Sequence, residues 1–394
     1  MIERQIFPKL LAHLAKSQAT VITGMRRVGK TTALRFLLDK VEHDNKLYLD
    51  FEKAENRLLF DENSYHAVEA GLKALGLDFG QPAVLALDEI QLVPHSPSII
   101  KYLHDTYAVK FILTGSSSYY LKNHFTESLA GRKRIFELYP LSFNEFLSFR
   151  GFEKSRYESF SRQPFSEFFY RIFKQEYETF LRFGGFPEVV LAETEEDKTE
   201  FLKDIINAYI ELDIKLLSDF QVSNDLYRLC QLLASHTGSR IDASKLSSIS
   251  GISRVKLTEY LDLFEYTYFI HRIPTFTKNK DKEISSRRKI YLADNGILQV
   301  LAQVSSGQAF ENSVALQLLQ MGEVSYYQKK TGQEVDFILD KKIAIEAKET
   351  PSFPDLKTLN YRADDLGLPE RWLVGRHFAN SDFKDWYWAG NIIA

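Results

Sequence analysis

The sequence predicts an α/β fold with a parallel sheet in its first 145 residues. Apolar, strand-like segments alternate there with helical segments, which is typical of units in which helices connect parallel strands. The segment Ala83–Leu87 is continuously apolar, as expected for a strand that is buried on both faces. Lys46–Phe51 predicts another strand, and a glycine-rich loop joins the strand at Thr20–Thr23 to the helix that follows it. The pattern changes after residue 145, so we expect additional domains in the rest of the chain.

The composition excludes several classes of protein. The chain has 394 residues, a net charge of -3 and a single cysteine, Cys230. One cysteine rules out an intramolecular disulfide and a cysteine-rich metal site. No apolar run reaches the roughly 18 residues that a membrane span requires, and the first residues lack the apolar core of a signal peptide. We therefore expect a cytoplasmic protein without a membrane partner, in which any nucleic-acid site is a local basic patch.

The glycine-rich loop has the pattern G-x4-G-K-T between a strand and a helix, which is typical of a triphosphate site. Glycines let backbone N–H groups approach the phosphates, and the helix N-terminus adds partial positive charge. Lys30 is expected to reach the β- and γ-phosphates, and the Thr31 hydroxyl to bind Mg²⁺. The predicted cofactors are ATP and Mg²⁺, and the predicted binding residues are Gly24, Met25, Arg26, Arg27, Val28, Gly29, Lys30, Thr31 and Thr32.

Two acids, Asp88 and Glu89, directly follow the apolar strand at Ala83–Leu87. Ligands of open α/β sheets bind at the carboxyl ends of the strands. Asp88 is expected to hold the Mg²⁺ shell, and Glu89 to orient and polarise the attacking water. The alternative is that this acidic pair only caps the helix that follows.

A further strand, at Val109–Leu113, ends in polar residues that include Thr114 and Ser116. Either residue would suit a sensor of the γ-phosphate that also positions water, and the alternative is a plain Gly/Ser turn. Farther along the chain, Arg132 is the candidate for an arginine that stabilises transition-state charge, supplied within the chain or by a neighbouring subunit. The alternative for Arg132 is a solvated basic turn.

After residue 145 the pattern becomes helical and aromatic, and residues 146–222 predict a helical lid subdomain whose aromatic residues form a core. Residues 223–284 predict a winged-helix outline, with Ser253 as the N-cap of its third helix. Arg254 and Lys256 lie where base contacts usually arise. A basic wing that contacts phosphates is predicted from Lys278, Lys280, Lys282, Arg287, Arg288 and Lys289. The alternative is a winged helix that packs against protein, with a solvated loop.

The segment 332–348 predicts a β-hairpin with a charged turn at 340–342. Residues two apart on a strand point to the same face, so Glu346 and Lys348 share one face, and Asp336 is expected to lie opposite Glu346. Two carboxylates and a lysine suit Mg²⁺ binding and the activation of water against a phosphodiester. Glu311, on an upstream helix, is a further candidate acid. The alternative is an edge hairpin whose acids are only solvated.

The order of these motifs over residues 1–375 resembles the prokaryotic AAA-type ATPases that are fused to an uncharacterised C-terminal domain. The sequences that carry the resemblance are the P-loop, Asp88-Glu89, Leu-Thr-Gly-Ser, Leu-Ala-Gly-Arg, Leu-Tyr-Pro-Leu-Ser-Phe, Gly-Gly-Phe-Pro, Glu-Val-Asp-Phe and Ile-Glu-Ala-Lys. In that family the C-terminal part is similar to the PD-(D/E)xK nuclease superfamily. The resemblance implies an ATPase core over 1–145, a restriction-endonuclease-like α/β domain over 285–394, and nuclease-type roles for Glu311, Asp336, Glu346 and Lys348.

Three functions are compatible with this sequence. The first is Mg²⁺-dependent ATP hydrolysis coupled to a DNA-related C-terminal module. The second is an ATP-dependent DNA nuclease, and the third is a nucleotide-switched protein-interaction module with an inactive nuclease fold. The expected partners are ATP and ADP, DNA, and further copies of the chain.

Overall fold

A computed structural model describes residues 2–61, 64–116, 131–157, 163–214, 223–277, 286–329, 332–378 and 383–392. The chain forms two compact units. The first comprises Met1–Tyr139 with Tyr266–Tyr268, and the second comprises Pro140–Glu265 with Phe269–Ala394. In the part of the chain that is described, no helix is long and apolar enough to cross a membrane.

Among the described residues of the first unit there are five strands, β1 to β5, and five α-helices, α1 to α5. The strands are Ala19–Thr23, Lys46–Asp50, Val84–Asp88, Lys110–Gly115 and Lys133–Glu137. The helices are Phe7–Leu14, Lys30–Asp39, Ala54–Phe60, Tyr65–Ala74 and Ser96–Tyr107.

These five strands form one parallel sheet in the order β2-β3-β4-β1-β5. The α/β prediction with a parallel sheet is therefore confirmed. Every residue of β1 and β3 is buried, since helices cover both faces of a parallel sheet and its central strands read as continuous apolar runs. All carboxyl ends meet at one edge, with the end of β4 between those of β1 and β3.

The described part of the second unit has ten α-helices and seven strands. The helices α6 to α15 are Phe143–Phe149, Glu167–Phe183, Pro187–Leu191, Glu195–Ala208, Ser223–Ser235, Ala243–Ser250, Arg254–Tyr266 (whose last residue falls in the first unit), Asn295–Leu301, Ser306–Met321 and Phe353–Leu366. The strands β6 to β12 are Ile270–Ile273, Lys289–Leu292, Val324–Gln328, Glu334–Leu339, Ile343–Lys348, Glu370–Gly375 and Tyr387–Trp388.

A mixed sheet of five strands, in the order β12-β11-β10-β9-β8, forms the C-terminal part of this unit. The strands β8, β9 and β10 pair antiparallel, whereas β10 pairs parallel with β11. The aromatic residues of α6 and α7 lie in the same apolar core as this sheet. Phe143, for example, contacts Tyr177 and Trp388 edge-on at centroid distances of 5.1 and 6.0 Å. The expectation that these aromatic residues form a core is therefore met.

The Gly184-Gly185 pair ends α7 and accommodates a buried carboxylate. Gly184 has φ 75°, and a Cβ added there would lie 2.0 Å from Asp294 Oδ1. Gly185 N donates to Asp294 Oδ2 at 2.7 Å. Asp294 also caps α13, because its Oδ1 accepts from Gly296 N at 2.7 Å and Ile297 N at 3.2 Å. The glycine pair is thus required by packing rather than by a ligand.

The helices α10 to α12 precede an antiparallel pair, β6 and β7, in which Ile270 lies opposite Leu292. Gly251 ends α11 with φ 72°, as the predicted glycine turn requires. Lys256 N donates to Ser253 Oγ at 3.4 Å, which is the contact expected of an N-cap residue.

Candidate functional site

The glycine-rich loop lies between β1 and α2 and is shaped by its two glycines. Gly24 has φ 152°, and a Cβ there would lie 2.1 Å from Leu138 O, so only glycine fits against the segment after β5. Gly29 is the N-cap residue of α2 and is left-handed, with φ 100°. Lys30, the first residue of α2, is buried, and its Nζ donates to Met25 O at 3.1 Å. The lysine therefore lies folded over the loop.

The remaining loop residues differ in exposure and contacts. Met25 and Val28 are buried, whereas Thr32 is exposed. Arg26 Nη1 pairs with Glu52 Oε1 at 3.0 Å. Arg27 has a left-handed backbone, with φ 65°, which is uncommon for a residue with a side chain.

Asp88 ends β3 and accepts hydrogen bonds from neighbouring elements. Tyr48 of β2 donates to Asp88 Oδ2 at 3.0 Å, and the Thr114 hydroxyl of β4 donates to Oδ1. Thr31 also donates a side-chain hydrogen bond to this carboxyl. Burial raises the pKa of Asp88 above its usual value, and the three hydroxyl donors oppose that change. Because Asp88 and the Thr31 hydroxyl are already in contact, both oxygens could bind one hard cation.

Glu89 is buried and lies beside the lysine of the loop. Its carboxylate is 3.9 Å from Lys30 Nζ and accepts from Gln91 Nε2. Burial opposes ionisation, but the charge of Lys30 and the Gln91 hydrogen bond outweigh it, so the pKa of Glu89 lies below its usual value. Its backbone is left-handed, with φ 55°, and its side chain makes no cap hydrogen bond to the short 3-10 helix Ile90–Leu92. The Glu89 side chain therefore does not cap this helix, contrary to the alternative predicted from the sequence.

The two polar candidates at the end of β4 differ in how they reach these acids. Glu89 N donates to Thr114 Oγ1 at 3.0 Å, so Thr114 connects Asp88 with the Glu89 backbone. Ser116 Oγ accepts from Gln91 Nε2 at 3.1 Å. Thr114 therefore acts on Asp88 directly, whereas Ser116 reaches Glu89 through Gln91.

Arg132 lies at the other end of the sheet. Ala19 N, at the start of β1, donates to Arg132 O at 2.8 Å, whereas the glycine-rich loop follows the end of β1. A strand of this length separates the two ends by roughly 13 Å. Arg132 Nε pairs with Asp105 Oδ1 at 2.9 Å. The within-chain role predicted for Arg132 is therefore wrong, and only a role supplied by a neighbouring copy stays a prediction. Residues 117–130, which include the start of the Leu-Ala-Gly-Arg motif, lie outside the described residues.

The described basic residues of the predicted wing, Arg287, Arg288 and Lys289, each lie close to an acidic side chain. Arg287 Nη2 pairs with Asp242 at 2.8 Å, and Arg288 Nη1 lies 3.8 Å from Glu265. Lys289 is buried and pairs with two acids, so its assignment to a phosphate-gripping wing is wrong. Lys278, Lys280 and Lys282 lie outside the described residues.

Arg254 is exposed at the start of α12, and the Lys256 ammonium lies 5.8 Å from the centre of the Tyr260 ring. Glu259 is exposed on the same helix. The exposed charges of this helix are thus mixed in sign, and its role in binding DNA stays a prediction.

The C-terminal hairpin has the register that the sequence predicts. Leu339 lies opposite Ile343, and Phe337 lies opposite Ile345, so one further step places Asp336 opposite Glu346. Asp336 Oδ2 accepts from Ala347 N at 2.9 Å. Burial, followed by the negative charges of Glu346 and Glu311, raises the pKa of Asp336 to about 8. The strand pairing thus brings two carboxylates together in a partly buried position.

Two cations hold Glu346. Lys348 Nζ pairs with Glu346 Oε1 at 2.9 Å, and Arg362 of α15 approaches the same oxygen at 3.3 Å. Glu346 is buried while the Lys348 side chain is 38% exposed. The lysine therefore has access to solvent, as a group that contacts a substrate would need.

Glu311, on α14, is held by residues of β7. Its Oε1 accepts from Tyr291 Oη at 2.6 Å and from Lys289 Nζ at 3.3 Å. Lys289 Nζ is also 2.5 Å from Glu334 Oε1. Glu311 is near enough to raise the pKa of Asp336, but its carboxylate is directed to an internal lysine and a tyrosine.

A metal-ligand set of three or more side chains is not formed within the described residues. No group of at least three His, Cys, Asp or Glu side chains is arranged there to hold a metal ion. Asp336 and Glu346 remain a pair of carboxylates, which is compatible with Mg²⁺ because this ion usually keeps several waters and binds through one or two carboxylates.

Sequence reasoning missed several residues that hold these sites. Arg4 is buried, and its guanidinium donates to Val28 O at 3.0 Å and Tyr139 O at 2.9 Å, which braces the glycine-rich loop. Tyr48 and Gln91 hold the acids of β3, and Arg362 holds Glu346. Apart from the position of Gln91 two residues after Glu89, no local pattern indicates these contacts, because they depend on which elements are neighbours in the fold.

Comparison with protein-family models divides the chain into three matched parts. Residues 16–147 match the model described as an AAA domain. Residues 174–308 match a domain of unknown function, DUF8612, and residues 306–392 match a second one, DUF4143. The nuclease-like character of the C-terminal part is therefore not assigned by these matches.

The chain is similar over most of its length to proteins of an archaeon and a bacterium. It is 29% identical over 389 residues to an uncharacterized protein of Methanocaldococcus jannaschii, with 93% of this chain and 83% of that protein covered. It is 25% identical over 334 residues to an uncharacterized protein of Haemophilus influenzae, with 82% and 79% covered.

Among solved structures, the RuvB Holliday junction branch migration motor of Thermotoga maritima aligns with a TM-score of 0.33 and 15% identity. The alignment covers 77% of this chain and 96% of that one, and a score of this size carries no functional argument. The glycine-rich loop and the two acids at the edge of the parallel sheet lie within residues 16–147, the part of the chain that matches an AAA domain.

Proposed function

We propose that this chain binds and hydrolyses ATP with Mg²⁺ and couples hydrolysis to a DNA-related C-terminal module. The observation that carries the ATPase part is the convergence of Lys30, Thr31, Asp88, Glu89 and Thr114 at one edge of the parallel sheet. A bound Mg²⁺ would neutralise phosphate charge during the reaction. The residues of the chain then have separate roles in this proposal.

Lys30 binds the β- and γ-phosphates, and leaves Met25 O when it does so. Thr31 and Asp88 hold the ion, with Tyr48 and Thr114 fixing the Asp88 carboxyl. Glu89 orients water, since its depressed pKa keeps it ionised and Gln91 restrains its side chain. The left-handed backbone of Glu89 directs this carboxylate towards Lys30 rather than along the strand.

The test separates nucleotide binding from hydrolysis. Glu89→Gln should retain ATP affinity and lose hydrolysis by about 100-fold or more, because the general base is removed and little else changes. Lys30→Ala should lose both, and Glu55→Gln, an exposed acid of α3, is the matched control. Full hydrolysis by Glu89→Gln would overturn this assignment, and hydrolysis that persists in excess EDTA would overturn the role of Mg²⁺.

The coupling to the rest of the chain has its own test. Limited proteolysis with and without ATP should show altered protection between residues 140 and 225, where the helical region follows the ATPase domain. Identical cleavage patterns would contradict coupling while leaving the ATPase proposal intact.

A second candidate function is DNA cleavage that depends on ATP. It is favoured by the juxtaposition of Asp336, Glu346 and Lys348, in which two acids could hold a cation and a solvent-accessible lysine lies beside them. Asp336→Asn and Lys348→Ala should abolish Mg²⁺-dependent cleavage of DNA without changing the ATPase rate. Lys357→Ala, at an exposed position on α15, is the control.

If the wild-type chain cuts neither single- nor double-stranded DNA, the nuclease function is excluded. A C-terminal module that binds DNA or protein under nucleotide control would then replace it.

A further inference from the structure

Lys289 is a buried lysine that faces the C-terminal acids. It begins β7, where its backbone lies opposite Ile273 and forms an additional bridge with Arg240. Only 6% of its side chain is exposed. A charged lysine is almost never buried to this extent unless it is paired, so its partners indicate what it does.

Those partners are acids from two other elements. Lys289 Nζ is 2.5 Å from Glu334 Oε1 on β9 and 3.3 Å from Glu311 Oε1 on α14. Its charge also acts on Asp336, two residues along β9 from Glu334 and on the same face. The positive charge of one ammonium group is thus close to three carboxylates, two of which it pairs with directly. A bound cation could neutralise the same acids.

We propose that Lys289 is an internal cation that competes with divalent metal for the acids around Asp336, and that it must be displaced from Glu311 before that metal site is complete. This inference rests on the proposed metal-binding role of Asp336 and Glu346.

The competition follows from charge and from geometry. A divalent ion beside Asp336 and a lysine ammonium in the same partly buried pocket repel each other more strongly than they would in water. Lys289 Nζ and Tyr291 Oη both donate to Glu311 Oε1, so a metal ion that approached this oxygen would have to displace them. This contact explains why Glu311 and Asp336 are near each other without forming a three-acid metal site among the described residues.

The position of Lys289 also connects the acids to the β6–β7 hairpin. The lysine begins β7, and β7 pairs antiparallel with β6, so this strand pairing fixes where the backbone of Lys289 lies.

The experiment is a calorimetric titration of Mn²⁺ into the nucleotide-free, full-length chain. All variants carry Asp88→Asn, so that the P-loop site does not contribute. Lys289→Met keeps the length of the side chain and removes its charge, and it should tighten Mn²⁺ binding by about tenfold or more. Lys342→Met removes the same charge at an exposed position in the turn of the adjacent hairpin, and it should leave affinity nearly unchanged.

A second variant keeps the inference testable if Lys289→Met does not fold. Glu311→Gln, in a chain that retains Lys289, should leave the affinity for Mn²⁺ unchanged. The reason is that Glu311 pairs with the lysine and does not bind the ion. A tenfold loss in Glu311→Gln would show that Glu311 is already a ligand and would overturn the inference.

The remaining outcomes separate this inference from the proposed function. In one outcome, the chain that retains Lys289 binds Mn²⁺ while a folded Lys289→Met variant binds it no more tightly. That result would refute the competition between Lys289 and the metal but leave the proposed metal site standing. If neither background binds Mn²⁺, the proposed metal site fails and the inference fails with it.

Discussion

Thr114 donates its hydroxyl hydrogen to Asp88 Oδ1 and accepts from the backbone N–H of Glu89 at 3.0 Å. One side chain on β4 therefore orients both acids at the end of β3. This contact is possible because β4 is the neighbour of β3 in the sheet. In the sequence, Thr114 comes well after both acids. Thr114 is buried, so water cannot replace its hydroxyl.

Thr114→Val should therefore impair hydrolysis more than nucleotide binding. Valine has nearly the same shape but lacks the hydroxyl, so Asp88 loses a donor and Glu89 N loses its acceptor. Loss of a residue that orients a metal-binding acid typically costs about 10- to 100-fold in activity or metal affinity. Steady-state ATPase rates and nucleotide affinity measured by fluorescence would check this, with Thr114→Ser as the variant expected to retain activity.

Gln91→Ala should lower the hydrolysis rate because Gln91 Nε2 restrains Glu89 and also donates to Ser116 Oγ at 3.1 Å. A misplaced base of this kind can cost up to about 100-fold. Single-turnover hydrolysis should slow while ATP affinity stays close to that of wild type. An unchanged single-turnover rate would show that the backbone of Glu89 alone is sufficient to orient its carboxylate.

Arg132→Ala should not affect ATP hydrolysis in dilute solution, where the chain is isolated, because Arg132 lies at the sheet edge opposite the P-loop. Its ion pair with Asp105 is well exposed, so loss of the pair should change the free energy of unfolding by less than about 1 kcal/mol. Rates are to be measured over a range of protein concentrations alongside light scattering. A defect that appears only where the chain self-associates would identify Arg132 as a residue supplied to a neighbouring copy.

Asp294 makes stability dependent on pH in a predictable direction. Burial is the largest influence and raises its pKa to about 6 from a usual value of 3.8, although three backbone N–H groups oppose the change. The folded state therefore binds more protons than the unfolded state between these values. The Asp294 contribution is most favourable at acid pH and is lost as the pH rises through about 6, by roughly 3 kcal/mol in total.

The comparison variant is Asp294→Asn, which cannot titrate. The difference in free energy of unfolding between wild type and Asp294→Asn, from urea denaturation at pH 4.5 and pH 7.5, should favour wild type more at the lower pH. Asp294→Ala should destabilise the protein by about 2–4 kcal/mol at either pH, because it removes a helix cap and leaves Gly185 N unpaired. A pH-independent difference between wild type and Asp294→Asn would contradict this account.

Several features of the fold and of the sites could be predicted because their signals are local. The P-loop residues are contiguous, and their chemistry depends on backbone geometry that Gly24 and Gly29 permit. The hairpin register follows from a three-residue turn at 340–342 and the alternation of apolar residues. In both cases the residues that matter lie within one short segment of the chain, so local backbone geometry is sufficient.

The errors concern residues whose partners are distant in the chain. Arg132 ends the Leu-Ala-Gly-Arg motif, from which a place near the bound phosphates was predicted, but strand direction places it at the edge of the sheet opposite the glycine-rich loop. Lys289 belongs to a basic run of three residues, yet it begins β7, all four residues of which are buried, and Glu311 and Glu334 pair with it there. Net charge along a segment does not reveal which of its members is buried.

The sequence by itself determined the α/β class, the glycine-rich loop between β1 and α2, the acid pair at the end of β3 and the pairing of Asp336 with Glu346. Only the tertiary structure decided which side chains hold those groups: Thr114 and Tyr48 on Asp88, Gln91 on Glu89, Arg4 on the loop, and Lys289 on the C-terminal acids. The physical reason is that a motif specifies local backbone conformation, whereas burial and electrostatic partnership depend on strand order and packing across the whole domain.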